Sequence, residues 1–223
     1  MDTSEAHVRI QLADVVAGSG AIEGDLHLPP DPRGLVIFAH GSGSSRHSPR
    51  NRMVATRLNE AGFATLLFDL LTPAEEAVDE RTRHLRFDIG LLAERLLAAE
   101  EAAGEGSDAP GLPVGTFGAS TGAAAALVAA AERPDAVRAV VSRGGRPDLA
   151  GDSLPLVRAP TLLIVGGDDR EVIRMNHAAS DRMTCEREIA IVPGATHLFE
   201  EPGTLEEVAR LAAGWFERYL PAG

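Results

Sequence analysis

"VGTFGASTGAAAALVAAA", residues 114–131, sets a serine between glycines where a strand-like apolar run gives way to alanines. Valine, threonine and phenylalanine suit a pleated strand, and alanine is the strongest helix former. The stretch therefore reads as strand, tight turn and helix, with Ser120 at the turn. Gly118 and Gly122 would let backbone pass close on both sides of it. Two roles fit Ser120. It is either a helix N-cap, a position serine favours, or a nucleophile raised above a strand end with a helix N-terminus aimed at it. Gly-x-Ser-x-Gly arises easily by chance in a chain with 23 glycines, so the context must decide.

Working outward, short apolar runs alternate with longer helical patterns. Strands are expected at 8–12, 22–28, 35–39, 65–68, 114–117, 137–141, 162–165 and 189–192. The first two alternate polar and apolar residues, as an antiparallel edge hairpin would. The other six are almost wholly apolar, as strands covered on both faces must be. Helices are expected at 50–61, 81–103, 121–132, 171–183 and 205–220, several of them followed by the stop signals glycine or proline. Repeating strand–helix units predict a mostly parallel, eight-stranded sheet with helices on both faces, an α/β fold forming one domain over residues 1–223. Chemistry in such sheets gathers beyond the carboxyl ends of the strands.

A serine hydroxyl needs a base, and the base needs a group that fixes its tautomer. Downstream of Ser120 the last two strands end in "GGDDREV" and "PGATHLF", which supply a carboxylate and a histidine in the order Ser, Asp, His. Of the seven histidines, His197 is the best placed base. His7 and His27 fall on edge strands, and His84 and His177 fall in helical patterns. Asp169 is the expected acid by its spacing from Gly166 and Val172, with Asp168 as the alternative. "HGSGS" after the 35–39 strand is a flexible turn whose amides can face the serine. The N–H groups of Ser42 and Thr121 are the expected oxyanion donors.

Composition narrows the function. The chain has 223 residues, is 44% hydrophobic and carries a net charge of −12, which disfavours nucleic-acid binding. No apolar run reaches the roughly 18–20 residues needed to span a bilayer, and "MDTSEAHVRI" lacks the order of a signal peptide, so a soluble, cytoplasmic protein is expected. Cys185 is the single cysteine and reads as a packed thiol. With Asp168, Asp169 and His197 committed to the serine, no metal or cofactor is implied, and the expected partner is a small-molecule substrate. The segment 98–113 reads as a frayed helix end and surface loop.

The strand order together with "HGSGS", "GASTG", "GGDD" and "GATH" resembles the α/β-hydrolase superfamily, in its uncapped, dienelactone-hydrolase-like branch, from about residue 22 to 220. The resemblance implies a triad of Ser120, Asp169 and His197 with oxyanion amides at Ser42 and Thr121. Dienelactone hydrolases proper use cysteine where this chain has Ser120, which favours esters, lactones or related acyl substrates over dienelactone itself. The stretch 141–161 is too short for a large lipase-type lid. The implied activity is a serine hydrolase of the carboxylesterase or lactonase type. Acyl transfer would share the same triad, whereas a non-catalytic binding protein has no need of all three groups.

One feature of charge runs against the acidic whole. "SSRHSPRNR" follows the oxyanion turn, and Arg143 ends the strand after the nucleophile's. Arg46, Arg50 and Arg143 are therefore candidates for contacting an anionic substrate, and salt bridging to nearby carboxylates is the alternative.

Overall fold

The structure, a computed structural model, describes residues 4–12, 20–105 and 111–221. In chain order the elements are β1 (Ser4–Leu12), β2 (Gly20–Leu28), β3 (Leu35–Ala39), α1 (Pro49–Glu60), β4 (Ala64–Phe68), α2 (Pro73–Thr82), a 3₁₀ turn (Leu85–Phe87) and α3 (Ile89–Glu105). There follow β5 (Val114–Ala119), α4 (Thr121–Glu132), β6 (Val137–Arg143), a 3₁₀ segment (Pro147–Leu156), β7 (Thr161–Gly166), α5 (Arg170–Arg182), β8 (Arg187–Val192) and α6 (Thr204–Tyr219). The eight strands form one sheet in the order β1-β2-β4-β3-β5-β6-β7-β8. β1 and β2 pair antiparallel, as do β2 and β4, and every later pairing is parallel.

The two-sided burial expected of the apolar strands is visible residue by residue in β3. Leu35, Ile37 and Ala39 join the core on one face, with α3 and α4 residues such as Leu96 and Leu127. Val36 and Phe38 join the core on the other, with Leu58 of α1 and Phe216 of α6. Successive side chains of a strand point to opposite faces, so an all-apolar strand needs a helical layer on each side. Helix α4 is enclosed further: all ten residues from Thr121 to Ala130 are buried. Its alanines allow this, because a helix with short side chains can be approached closely from every direction.

The helix expected at 81–103 is in fact broken. Residues 73–82 form α2, which ends at Arg83 in a left-handed conformation (φ 56°), and α3 starts only at Ile89. The start signal for α2 was present in "TPAE". The Thr72 hydroxyl accepts from the Glu75 N–H, the Glu75 carboxylate accepts from the Thr72 N–H, and Pro73 occupies the first turn. The buried ion pair Glu75–Arg95 (2.8 Å) then ties α2 to α3. Helix α3 runs to Glu105, so most of the expected frayed end is regular helix; residues 106–110 of that loop lie outside the described residues. Between β6 and β7 the chain forms only the ten-residue 3₁₀ segment, and among the described residues no large lid stands over the carboxyl ends of the strands.

Candidate active site

Ser120 sits between β5 and α4 with φ 51° and ψ −119°. A side chain at positive φ costs about 1–3 kcal/mol and persists only where its surroundings enforce it. Here three backbone bonds do so. The Ser120 N–H donates to Arg143 O (3.3 Å), and its carbonyl accepts from Ala123 N (3.1 Å) and Arg146 N (3.0 Å). The flanking glycines are required sterically. A Cβ on Gly118 would lie 2.4 Å from Ala123 Cα, and one on Gly122 would lie 2.2 Å from Ala39 O. The serine side chain makes no capping bond to α4, unlike the hydroxyls of Ser48 and Thr72 at their helices.

At the ends of β7 and β8, His197 Nδ1 donates to Asp169 Oδ2 at 2.8 Å. The other carboxylate oxygen of Asp169 caps α5, accepting from Val172 N at 3.4 Å. Asp168, its exposed neighbour, donates its backbone N–H to Ala195 O. The cap explains why the second of two adjacent aspartates faces the histidine: it is the residue from which α5 starts. The loop bearing His197 is held by Glu201, whose carboxylate accepts from Thr196 Oγ1 (2.6 Å) and Thr196 N (3.1 Å). Those bonds pull the Glu201 carboxyl below its ordinary range.

Ser120 and His197 line one cleft of about 260 Å³ with Gly41, Ser42, Ser48, Arg50, Asn51, Arg143 and Gly144. The expected oxyanion donors lie here too, but not in the expected state. The Ser42 N–H is not free: it donates to Thr121 Oγ1 at 3.0 Å, and the two hydroxyls are 2.9 Å apart. The backbone amide of Thr121 opens α4 immediately after Ser120.

The three candidate arginines separate. Arg46 is turned away from the cleft: its backbone N–H donates to Asp69 Oδ1 (2.9 Å), and its guanidinium pairs with Asp69 Oδ2 and Asp25 Oδ2. It lines hollows on the β2–β4 side of the sheet, so a place for Arg46 at the cleft is corrected. The partners come from β2 and from the end of β4, distant in sequence and adjacent only in the folded sheet. Arg50 and Arg143 do line the cleft. Arg50 pairs with Glu200 at 3.1 Å. Arg143 is 6% exposed, donates to Asn51 Oδ1 (3.1 Å) and lies over the Phe199 ring at 5.9 Å. Burial, and secondarily the charge of Arg50, lower its pKa to about 10, so it remains a cation at neutral pH.

Sequence reasoning missed His40. Its Nδ1 donates to Gly41 O (3.0 Å) and its Nε2 accepts from Leu70 N (3.1 Å), which fastens the turn after β3 to the chain beyond β4. Accepting at Nε2 requires a neutral ring, and burial lowers the pKa accordingly. The position was visible as the first residue of "HGSGS", but its partner Leu70 is 30 residues away.

Fold and cleft together define an α/β hydrolase with a serine, an aspartate and a histidine beyond the ends of β5, β7 and β8. The chain matches the Dienelactone hydrolase family over residues 22–220, and it belongs to that family. It is 57% identical to a dienelactone hydrolase from Anabaena variabilis whose crystal structure superposes with a TM-score of 0.92, covering 97% of this chain and 98% of that one. Est1E from Butyrivibrio proteoclasticus shares the fold at 18% identity, with a TM-score of 0.77 over 96% of this chain and 98% of Est1E. A Mycobacterium tuberculosis protein named "Putative phosphoribosyl transferase" is 60% identical over 213 residues, 96% of this chain and 47% of that protein. The chain thus spans about half the length of the curated relatives it matches.

Proposed function

We propose that this hydrolase cleaves small carboxylic esters or lactones through an acyl-enzyme on Ser120. The observation that carries the reading is the His197–Asp169 bond of 2.8 Å, made by a histidine that lines the same cleft as the strained Ser120. With Nδ1 donating to the carboxylate, Nε2 is left as the base. As Ser120 Oγ bonds to the substrate carbonyl carbon, its proton passes to His197 Nε2. The carbonyl oxygen becomes an anion received by the Thr121 N–H, joined by the Ser42 N–H once that oxygen displaces the Thr121 hydroxyl. Collapse breaks the bond to the leaving oxygen, which takes the proton from His197. Water then repeats the sequence on the acyl group, releasing the acid and restoring Ser120. The phosphoribosyl name belongs to a protein about twice as long as the matched region.

A fluorophosphonate followed by peptide mass mapping tests the reading. The adduct is expected on Ser120 alone and absent from Ser120→Ala, which should lose at least about 10⁴-fold in ester turnover. Labelling elsewhere, or near wild-type turnover by Ser120→Ala, would refute it.

A further inference from the structure

Helix α5 buries one stripe, Val172, Asn176 and Ala179, at the i, i+4, i+7 spacing of a face turned to the core. The middle residue of that stripe is an amide. Asn176 is 0% exposed, and an amide is tolerated at such a place only where its donors are used. Both are. Its Nδ2 donates to Val172 O (2.8 Å) and to Gly145 O (3.1 Å). Two carbonyl oxygens can face only the nitrogen, so the opposite orientation of the amide is excluded. The side-chain oxygen has no hydrogen-bond partner among the described residues. Burying that acceptor unpaired is unfavourable, so the fold gives up one bond to keep the other two.

The two carbonyls belong to opposite halves of the site. The Val172 N–H is the group that donates to Asp169 Oδ1, while Asp169 Oδ2 holds His197. Gly145 O belongs to the peptide unit whose N–H, that of Arg146, donates to Ser120 O at 3.0 Å. A peptide unit is planar, so a hold on its carbonyl also aims its N–H. We propose that Asn176 is a positioning residue of the hydrolytic reaction. By fixing the Gly145–Arg146 peptide it keeps Ser120 in its strained posture and, through Val172, in register with the turn that carries Asp169. The proposal rests on the hydrolase reading above and adds to it a residue too deeply buried to touch substrate. The neighbouring bonds do not replace it. The Gly144 N–H donates to Ile164 O (2.8 Å), and the second bond to Ser120 O comes from Ala123 N at the start of α4. Neither reaches the peptide between residues 145 and 146. Without Asn176 that peptide is free to turn, and a shift of about 1 Å at a reacting group costs up to about 100-fold in rate.

The test uses the full chain and reads rate per reactive serine. A fluorophosphonate titrates the reactive sites, and kcat/KM for 4-nitrophenyl acetate is divided by their number. Asn176→Leu, close in size but without donors, is expected to lower the rate per site by roughly 10- to 100-fold. Asn176→Ser separates the two bonds, because a helical hydroxyl reaches the carbonyl four residues back but not Gly145. Its loss should match that of Asn176→Leu to within about threefold. Asn59→Leu is the control. Asn59 joins α1 to the start of β4, donating from Nδ2 to Phe63 O and Thr65 Oγ1. Removing it should lower Tm and leave the rate per site within about twofold, as would removal of a merely structural Asn176. Hydrogen exchange gives a readout independent of activity. In Asn176→Leu the Arg146 amide should lose at least about tenfold in protection, while the Gly144 amide, bonded to Ile164 O, keeps its own. Rates per site within about twofold of wild type, a lost rate with Arg146 protection unchanged, or an Arg146 amide already unprotected in the wild type would overturn the proposal. Should Asn176→Leu fail to fold, Asn176→Ser carries both measurements. Failure of the hydrolase reading looks different, with the fluorophosphonate labelling the wild type elsewhere than Ser120. Protection of the Arg146 amide then still tests whether Asn176 holds the turn.

Discussion

The antiparallel edge of the sheet and its parallel centre treat charge in opposite ways. At the edge, His7 stands against Glu23 and Asp25, Arg9 against Glu23, and Arg46 against Asp69 and Asp25. Every one of those basic side chains is answered by a carboxylate. At the centre, Arg143 and Arg50 share a cleft with Ser120 and His197, and Arg143 is answered by none among the described residues. A cation matters to chemistry less through its presence near a strand end than through whether the fold has already neutralised it. Substitutions at the centre should therefore act on rate, and those at the edge on stability.

The largest expected effect that separates the two regions lies at the paired aspartates. Asp169→Asn should lower ester turnover by about 10⁴-fold, because the amide can no longer hold His197 in the tautomer that leaves Nε2 basic. Asp168→Asn, exposed one residue earlier, should change turnover by less than about threefold; parallel kinetics on the two variants would reverse the assignment if their effects were exchanged. Next comes the edge. Arg46→Gln should leave kcat/KM for either charge of ester within about twofold and lower stability by about 1 kcal/mol in urea titrations, since its partners are only partly shielded from water. A large kinetic loss in Arg46→Gln with unchanged stability would erase the contrast. The smallest expected effect is at His40. Burial holds its folded pKa below the ordinary 6.5, so as pH falls the unfolded chain takes up that proton first. Stability should accordingly drop as pH falls from about 6.5 toward the lower folded value. In His40→Asn this part of the pH dependence of Tm should vanish, and an unchanged profile would mean that the ring is not held neutral.

Much of this plan is legible before folding, for a definite reason. Strands covered on both faces must be apolar throughout, and the residues at their carboxyl ends then stand out as polar interruptions: Ser120 and Asp169 are of that kind, whereas His197 follows the edge strand β8, of which only Val192 is buried. What escapes is whatever depends on who sits opposite. Arg46 and Arg143 look alike in sequence, and only the adjacency of β2 and β4 gives Arg46 its carboxylates. The engagement of the Ser42 amide by Thr121 joins residues 79 apart. The start of α2, by contrast, was written locally in Thr72, Pro73 and Glu75, and was obscured by the longer helical periodicity that follows it.

The alanine helix behind Ser120 has one more consequence, for heating. Its buried turns, enclosed by the sheet and by α3, can exchange their amide hydrogens only when the whole fold opens, so they belong among the last to do so. Ser120, the proposed nucleophile, is attached directly to this buried helix. Loss of activity on warming should then track global melting instead of preceding it, and Ser120 should keep its strained posture until the sheet itself comes apart.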